Sequence, residues 1–146
     1  MEYAHYWQKG TTPPDLWALI VADTDALLRA YSGPVFYLQA NQDWIFFVGG
    51  QAQAFELQRR ATRTHEGKPA VAGCSTARQP YDLIVCAILA AAADRCPAFY
   101  VKTHAAAGPD PEPAWAATLE WASTVLARPI LKPLERRNPP PVADHG

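Results

Sequence analysis

Leu83–Ala93 reads LIVCAILAAAA, eleven consecutive residues with no charge and no polar side chain beyond a single thiol. Pro80 and Asp82 precede the run and Arg95 and Pro97 follow it. A proline at the start, an acid in the first turn and a base in the last turn are helix signals, the charges complementing the helix dipole. An amphipathic helix shows polar residues at every third or fourth position. This one shows none, so no face of it prefers water. It is also well short of the roughly 20 apolar residues that cross a bilayer. Other elements must therefore cover this helix on several sides, and that condition limits the fold before any other feature is considered.

The remaining sequence supplies the cover. Pro13 and Pro14 open a first helix, Asp15 sits in its first turn, and Ser32-Gly33-Pro34 stops it. At about 100° per residue, Leu16, Trp17, Ile20, Val21, Thr24, Leu27, Leu28 and Tyr31 share an arc roughly 140° wide, with Asp23, Asp25 and Arg29 outside it. Val35–Gln39 and Trp44–Val48 are aromatic and β-branched and flank the turn-forming Ala40-Asn41-Gln42-Asp43, which predicts a hairpin. Gly49-Gly50 permits a second turn. Phe55 and Leu57 alternate with Glu56 and Gln58 in a third strand, half buried. Ala70-Val71-Ala72 is a short fourth strand and Phe99–Lys102 a last one. A third helix runs from about Ala114 to Arg128, with Trp115, Thr118, Leu119, Ala122, Val125 and Leu126 on one face and Pro129 ending it. The expected order is α-β-β-β-(β)-α-β-α. That is an α+β fold, a mostly antiparallel sheet of four to five strands packed by three helices.

A chain of 146 residues fits one domain. Residues 1–131 are expected to form it, and 132–146, with Pro133 and Pro139-Pro140-Pro141, an extended Pro-rich tail. Thirteen basic and 14 acidic side chains leave a net charge near −1. That balance argues against a nucleic-acid partner or an anionic-membrane partner, either of which calls for a basic surplus. The N-terminal MEYAHYWQKG has no basic segment leading into an apolar one, so no secretory signal is expected. Cys86 and Cys96 fall on one helix about 15 Å apart along its axis, too far for a disulfide. With Cys74 they form no CxxC pair, so the three are expected as reduced thiols in a cytoplasmic protein.

The segment Cys74-Ser75-Thr76-Ala77-Arg78-Gln79-Pro80-Tyr81-Asp82 is the most distinctive place for chemistry. Two hydroxyls and an arginine lead into the N-terminus of the apolar helix, where free N–H groups and partial positive charge favour an anion. Ser75, Thr76 and Arg78, helped by Tyr81 and His104, are the anion-binding candidates. The competing structural reading has Ser75 and Thr76 capping backbone groups and Arg78 pairing with Asp82. No Gly-x-x-x-x-Gly-Lys-Ser/Thr pattern occurs.

The same segment resembles one found in a loose family of small uncharacterised bacterial and phage proteins, a Thr-x-Arg-x-Pro-Tyr-Asp motif before an apolar helix. Ile45–Gly50, Phe55-Glu56, Thr76–Asp82 and the helix from Trp115 to Leu126 match that family's pattern in order, over roughly residues 35 to 128. Lys102-Thr103-His104-Ala105 stands where the family tends to carry a Ser-Asp-Gly-like turn. The resemblance implies a common fold and is compatible with a phage or mobile-element origin. It carries no activity.

Other constellations are thinner. His5, His65, His104 and His145 are scattered singly, without metal-site spacing, and no metal or cofactor is expected. Ser75, His104 and Asp82 compose a hydrolytic triad only on paper, since no Gly-x-Ser-x-Gly elbow is present. Arg59, Arg60 and Arg63 offer a phosphate contact, but the balanced charge favours a solvated strand edge. The leading expectation is thus a small protein acting by protein–protein contact, an accessory or regulatory factor. Tyr6 and Trp7 of the N-terminal aromatic cluster and Trp121 of the third helix are its interface candidates, since aromatics anchor interfaces. The alternative is an enzyme or binding domain for a small anionic ligand at the 75–82 loop.

Overall fold

The computed structural model describes residues 3–49, 54–61, 66–68, 70–76, 81–96, 99–105, 112–131 and 133. Nine elements run in the order β1 (Tyr3–Gln8), α1 (Pro14–Ala30), β2 (Phe36–Ala40), β3 (Trp44–Val48), β4 (Phe55–Gln58), β5 (Ala72–Ser75), α2 (Asp82–Arg95), β6 (Tyr100–Ala105) and α3 (Glu112–Leu126). The class is α+β, as expected, but the strands form two three-stranded antiparallel sheets rather than one sheet of four or five. One has the order β5-β1-β6 and the other β2-β3-β4.

The difference comes from the N-terminus. Tyr3–Gln8 is a strand, and it is the central one of its sheet, pairing with β5 on one side and β6 on the other. Without it β5 and β6 would have no common neighbour. The order is therefore β-α-β-β-β-β-α-β-α. The fourth strand also begins later than Ala70, at Ala72, and runs through Cys74 to Ser75.

Helix α2 occupies the place its composition demands. Every residue from Ile84 to Ala93 is buried, and α1, α3 and β6 pack on it. Fully burying side chains such as Ile84, Val85, Ile88 and Leu89 contributes about 1.5–3 kcal/mol each. Sheet β2-β3-β4 closes the core from another side through Ile45, Phe47, Phe55 and Leu57. The Phe55 ring lies between Trp7 of β1 at 5.6 Å and Phe47 at 5.1 Å, so an aromatic row joins the two sheets. The hairpin turn is as expected: the Asn41 side-chain oxygen accepts from the N–H groups of Asp43 and Trp44, and Trp17 Nε1 donates to the Asn41 carbonyl at 2.7 Å. That last bond ties α1 to the turn.

One helical position departs from its expected face. Asp23 of α1 is buried rather than solvated. It accepts from Arg95 Nε at 2.6 Å and Arg95 NH2 at 3.1 Å, and from Arg128 NH2 at 2.8 Å and NH1 at 3.2 Å. Two forked pairs thus converge on one carboxylate and clamp α1, the end of α2 and the residue just past α3. Burial raises the Asp23 pKa, but the hydrogen bonds and charges of Arg95 and Arg128 outweigh it and hold the group below its ordinary 3.8. A depressed carboxylate contributes stability that is complete above the unfolded-state pKa and is lost as pH falls through the folded one. Thermal melts between pH 7 and pH 2 should show the wild type losing stability below about pH 4. Asp23→Ala should be less stable at pH 7 by on the order of 2–4 kcal/mol and should lose less on acidification.

Candidate functional site

Strand alternation places residues two apart on one face of a sheet. In β1 that face carries His5 and Trp7. The register sets His5 directly beside Cys74 of β5 and Thr103 of β6, in one lateral row. Above this row lies the first turn of α2, where Asp82 and Cys86, four residues apart, project from one side of the helix. Trp115 of α3 closes the assembly, its ring edge-on to the imidazole with centroids 5.8 Å apart. His5, Cys86, Thr76 and Trp115 are all buried, while Thr103 and Asp82, the latter's side chain 14 % exposed, are partly open to solvent.

The polar groups form one connected network. Trp115 Nε1 donates to Thr103 Oγ1 at 2.9 Å, and Thr103 Oγ1 lies 2.8 Å from His5 Nδ1. His5 Nε2 is 2.6 Å from Asp82 Oδ1, which also accepts from the Thr76 hydroxyl at 2.5 Å. Cys86 Sγ sits 3.3 Å from the same His5 nitrogen and donates to Asp82 Oδ2 at 3.6 Å. The assignment that serves every donor puts the imidazole proton on Nε2, donated to Asp82, and has the Thr103 hydroxyl donate to Nδ1. Buried polar groups need such partners, since each one left unmade costs about 1–3 kcal/mol.

This geometry limits what the cluster can do. In a nucleophile–base–acid triad the nucleophile and the orienting carboxylate address different imidazole nitrogens. Here Cys86 and Asp82 both address Nε2. Burial above all, then the neighbouring Asp82 charge and its hydrogen bond, also pushes the Cys86 thiol well above its ordinary range. A fully buried, protonated thiol on a shared nitrogen is not an activated nucleophile. What the arrangement does offer is an imidazole nitrogen, a carboxylate oxygen and a sulfur converging from two elements, with Thr103 and Thr76 holding the first two.

The residues singled out from sequence divide around this cluster. Thr76 belongs to it, its hydroxyl spent on Asp82. Tyr81 is a core residue at the N-cap of α2, its hydroxyl 3.4 Å from Cys74 Sγ and its ring against Gly49, which has no room for a side chain. Burial raises the pKa of both Tyr81 and Cys74. Ser75 and His104 pair with Ala4 from opposite sides, so two strand spacings, about 10 Å, separate their backbones. Arg78 lies outside the described residues, as do Arg63 and the 132–146 tail except Pro133. Arg59 serves the fold, donating to the Thr12 carbonyl at 2.9 Å. Trp7 is buried in the core with no ring face for a partner, Tyr6 is half-buried over Gly73, and Trp121 packs partly against the core.

His5, Cys86, Thr103 and Trp115 were not among the sequence candidates for chemistry. The one readable signal was the i, i+4 spacing of Asp82 and Cys86; His5 lay in a segment not recognised as a strand.

Removing the hydroxyl that joins two donors tests the network. Thr103→Val should destabilise the protein by about 2 kcal/mol in urea unfolding, because Trp115 and His5 both lose a buried partner, and Thr103→Ser should restore most of that. Iodoacetamide at neutral pH should label the half-buried Cys96 well before Cys74 or Cys86 in the native state. No family model, curated protein or solved structure matches this chain, so the reading of the site rests on its own chemistry.

Proposed function

We propose that this protein is a protein–protein interaction module, an accessory or regulatory factor that takes an extended strand of its partner onto the free edge of β2. The observation that carries the reading is the exposure of three consecutive large apolar residues on that edge, Phe36 at 49 %, Tyr37 at 78 % and Leu38 at 49 %. All five residues of β2 are exposed, and among the described residues β3 is the one strand that β2 hydrogen-bonds to. Free edges are normally guarded by charge, yet no charged residue occurs from Ser32 to Gln42. The register shifts between Phe36 and Gln39, and Tyr37 has a φ of 56°, the left-handed region that costs a non-glycine residue about 1–3 kcal/mol.

The chemistry of the edge defines its occupant. Strand addition satisfies main-chain groups on both partners and reads alternate side chains. A partner strand with charges opposite Phe36 or Leu38 would have to desolvate them without a counter-charge. The partner segment is therefore uncharged and rich in β-branched and aromatic residues. Reduced thiols at Cys74, Cys86 and Cys96 support a cytoplasmic location. Among the described residues no helix is long and apolar enough to cross a membrane.

A synthetic peptide of residues 34–41 supplies a strand of this composition. Adding it to the full chain should slow hydrogen exchange at β2 amides, and Leu38→Lys in the protein should abolish the effect while leaving the melting temperature within a few degrees. Protection of β2 that rises with protein concentration alone identifies a second copy as the partner. Exchange at β2 that ignores both peptide and concentration overturns the reading.

A further inference from the structure

We infer that His5, Asp82 and Cys86 form a binding site for one divalent transition-metal ion of the zinc class, with a water as the fourth ligand. This rests on a different part of the molecule from the β2 edge and is independent of it.

Three observations carry the inference. The first is convergence. His5 Nε2 lies 2.6 Å from Asp82 Oδ1 and 3.3 Å from Cys86 Sγ, Cys86 Sγ lies 3.6 Å from Asp82 Oδ2, and one ligand atom from each residue falls within 4.8 Å of the other two. Ligand bonds of about 2.0–2.1 Å to nitrogen and oxygen and 2.3 Å to sulfur put the corners of a tetrahedral zinc site about 3.3–3.6 Å apart. The His5–Cys86 edge already has that length, and Asp82 presents one carboxylate oxygen to each of the other two ligands, so binding requires its carboxylate to turn a single oxygen toward the ion.

The second is the outer shell. A ligating histidine holds its ring by donating the other N–H to a fixed acceptor. Thr103 Oγ1 lies 2.8 Å from His5 Nδ1 and already accepts from Trp115, leaving a second lone pair for that proton. The same hydroxyl thus serves His5 with its proton on either nitrogen. On metal binding the proton moves from Nε2 to Nδ1, and Nε2 is freed for the ion without any change in the ring's charge. Thr76 holds the carboxylate in the same way through its 2.5 Å hydrogen bond.

The third is the chemistry of the donor set. A carboxylate and a thiolate together balance the two positive charges of a divalent ion, the thiol proton leaving to solvent as the ion binds, and a neutral centre is the form that a buried location favours. The mixed nitrogen, oxygen and sulfur set suits zinc, which has no geometric preference of its own, over the all-oxygen preference of magnesium or calcium.

The test uses the full chain, treated with a chelator, dialysed and titrated with Co2+ as a spectroscopic stand-in. The expected result is one equivalent bound with a thiolate-to-cobalt charge-transfer band, displaced by one equivalent of Zn2+. Cys86→Ser should abolish the band, Cys96→Ser should keep it, and Thr103→Val should weaken Zn2+ binding about 10–100-fold through the outer shell alone. Wild-type protein that is folded by circular dichroism and shows no such band overturns the inference, whatever becomes of the variants. A band that survives Cys86→Ser overturns the assignment equally.

Discussion

An eleven-residue segment with no polar face can be stable in water only inside a protein, and the architecture follows from enclosing it. Helix α2 touches α1, α3 and β6, and the aromatic row of Trp7, Phe55 and Phe47 closes the rest of the core around it. Enclosure has a second consequence. The polar residues at the N-terminal end of α2, Asp82 and Cys86, go into the interior with the rest, and a buried carboxylate without partners is expensive. The sheet beneath answers with His5 and two threonines. The candidate site is therefore a product of the same packing that buries the helix, placed where α2 ceases to be apolar.

The two ends of α2 handle buried charge differently. At its C-terminal end Arg95 and Arg128 grip Asp23 with four hydrogen bonds and Arg128 Nε also donates to Asp94 at 3.2 Å, so two guanidinium groups meet two carboxylates at a partly solvated rim. At the N-terminal end the partners of Asp82 among the described residues are an imidazole, a hydroxyl and a thiol. The first arrangement locks formal charges to one another. The second brings together nitrogen, oxygen and sulfur ligand atoms, and this is the property that separates a clamp from a potential ligand site.

How much of this was legible in the chain depended on whether a residue's role was set by its neighbours in sequence or across the fold. The three helices were readable because proline, acidic first turns and 3.6-residue periodicity are local signals, and the Asn41 turn because its side chain bonds its own backbone. Strand β1 was not read as one, although Tyr-Ala-His-Tyr-Trp is rich in strand-forming aromatics. Its buried face carries His5 beside Trp7, with Tyr6 and Gln8 half-buried on the other, so the residue types do not show the apolar–polar alternation that marks β4, and His5 and Lys9 look like solvent-facing residues. Lys9 in fact donates to the carbonyls of Gly10 and Arg59. Once β1 was missed, His5 could not be placed beside Asp82, and with it went the cluster. Asp23 shows the same limit: the helical wheel places it outside the apolar arc, and Arg95 and Arg128, 72 and 105 residues away, are what draw it into the interior.

The contrast between the two sheets bears on which surface is available for contact. In β5-β1-β6 the central strand is covered by α2 and α3 on the face that carries His5, and its interface-candidate aromatic Trp7 is consumed by the core. In β2-β3-β4 the apolar residues of β3 and β4 alternate inward cleanly, Ile45 and Phe47, Phe55 and Leu57, whereas β2 has no buried residue at all. A strand that contributes nothing to its own core but carries phenylalanine, tyrosine and leucine in succession loses solubility without gaining stability. Such a composition is expected where burial occurs against something outside the fold, and the absence of any charge from Ser32 to Gln42 removes one of the usual barriers to that burial, leaving the irregularity at Tyr37.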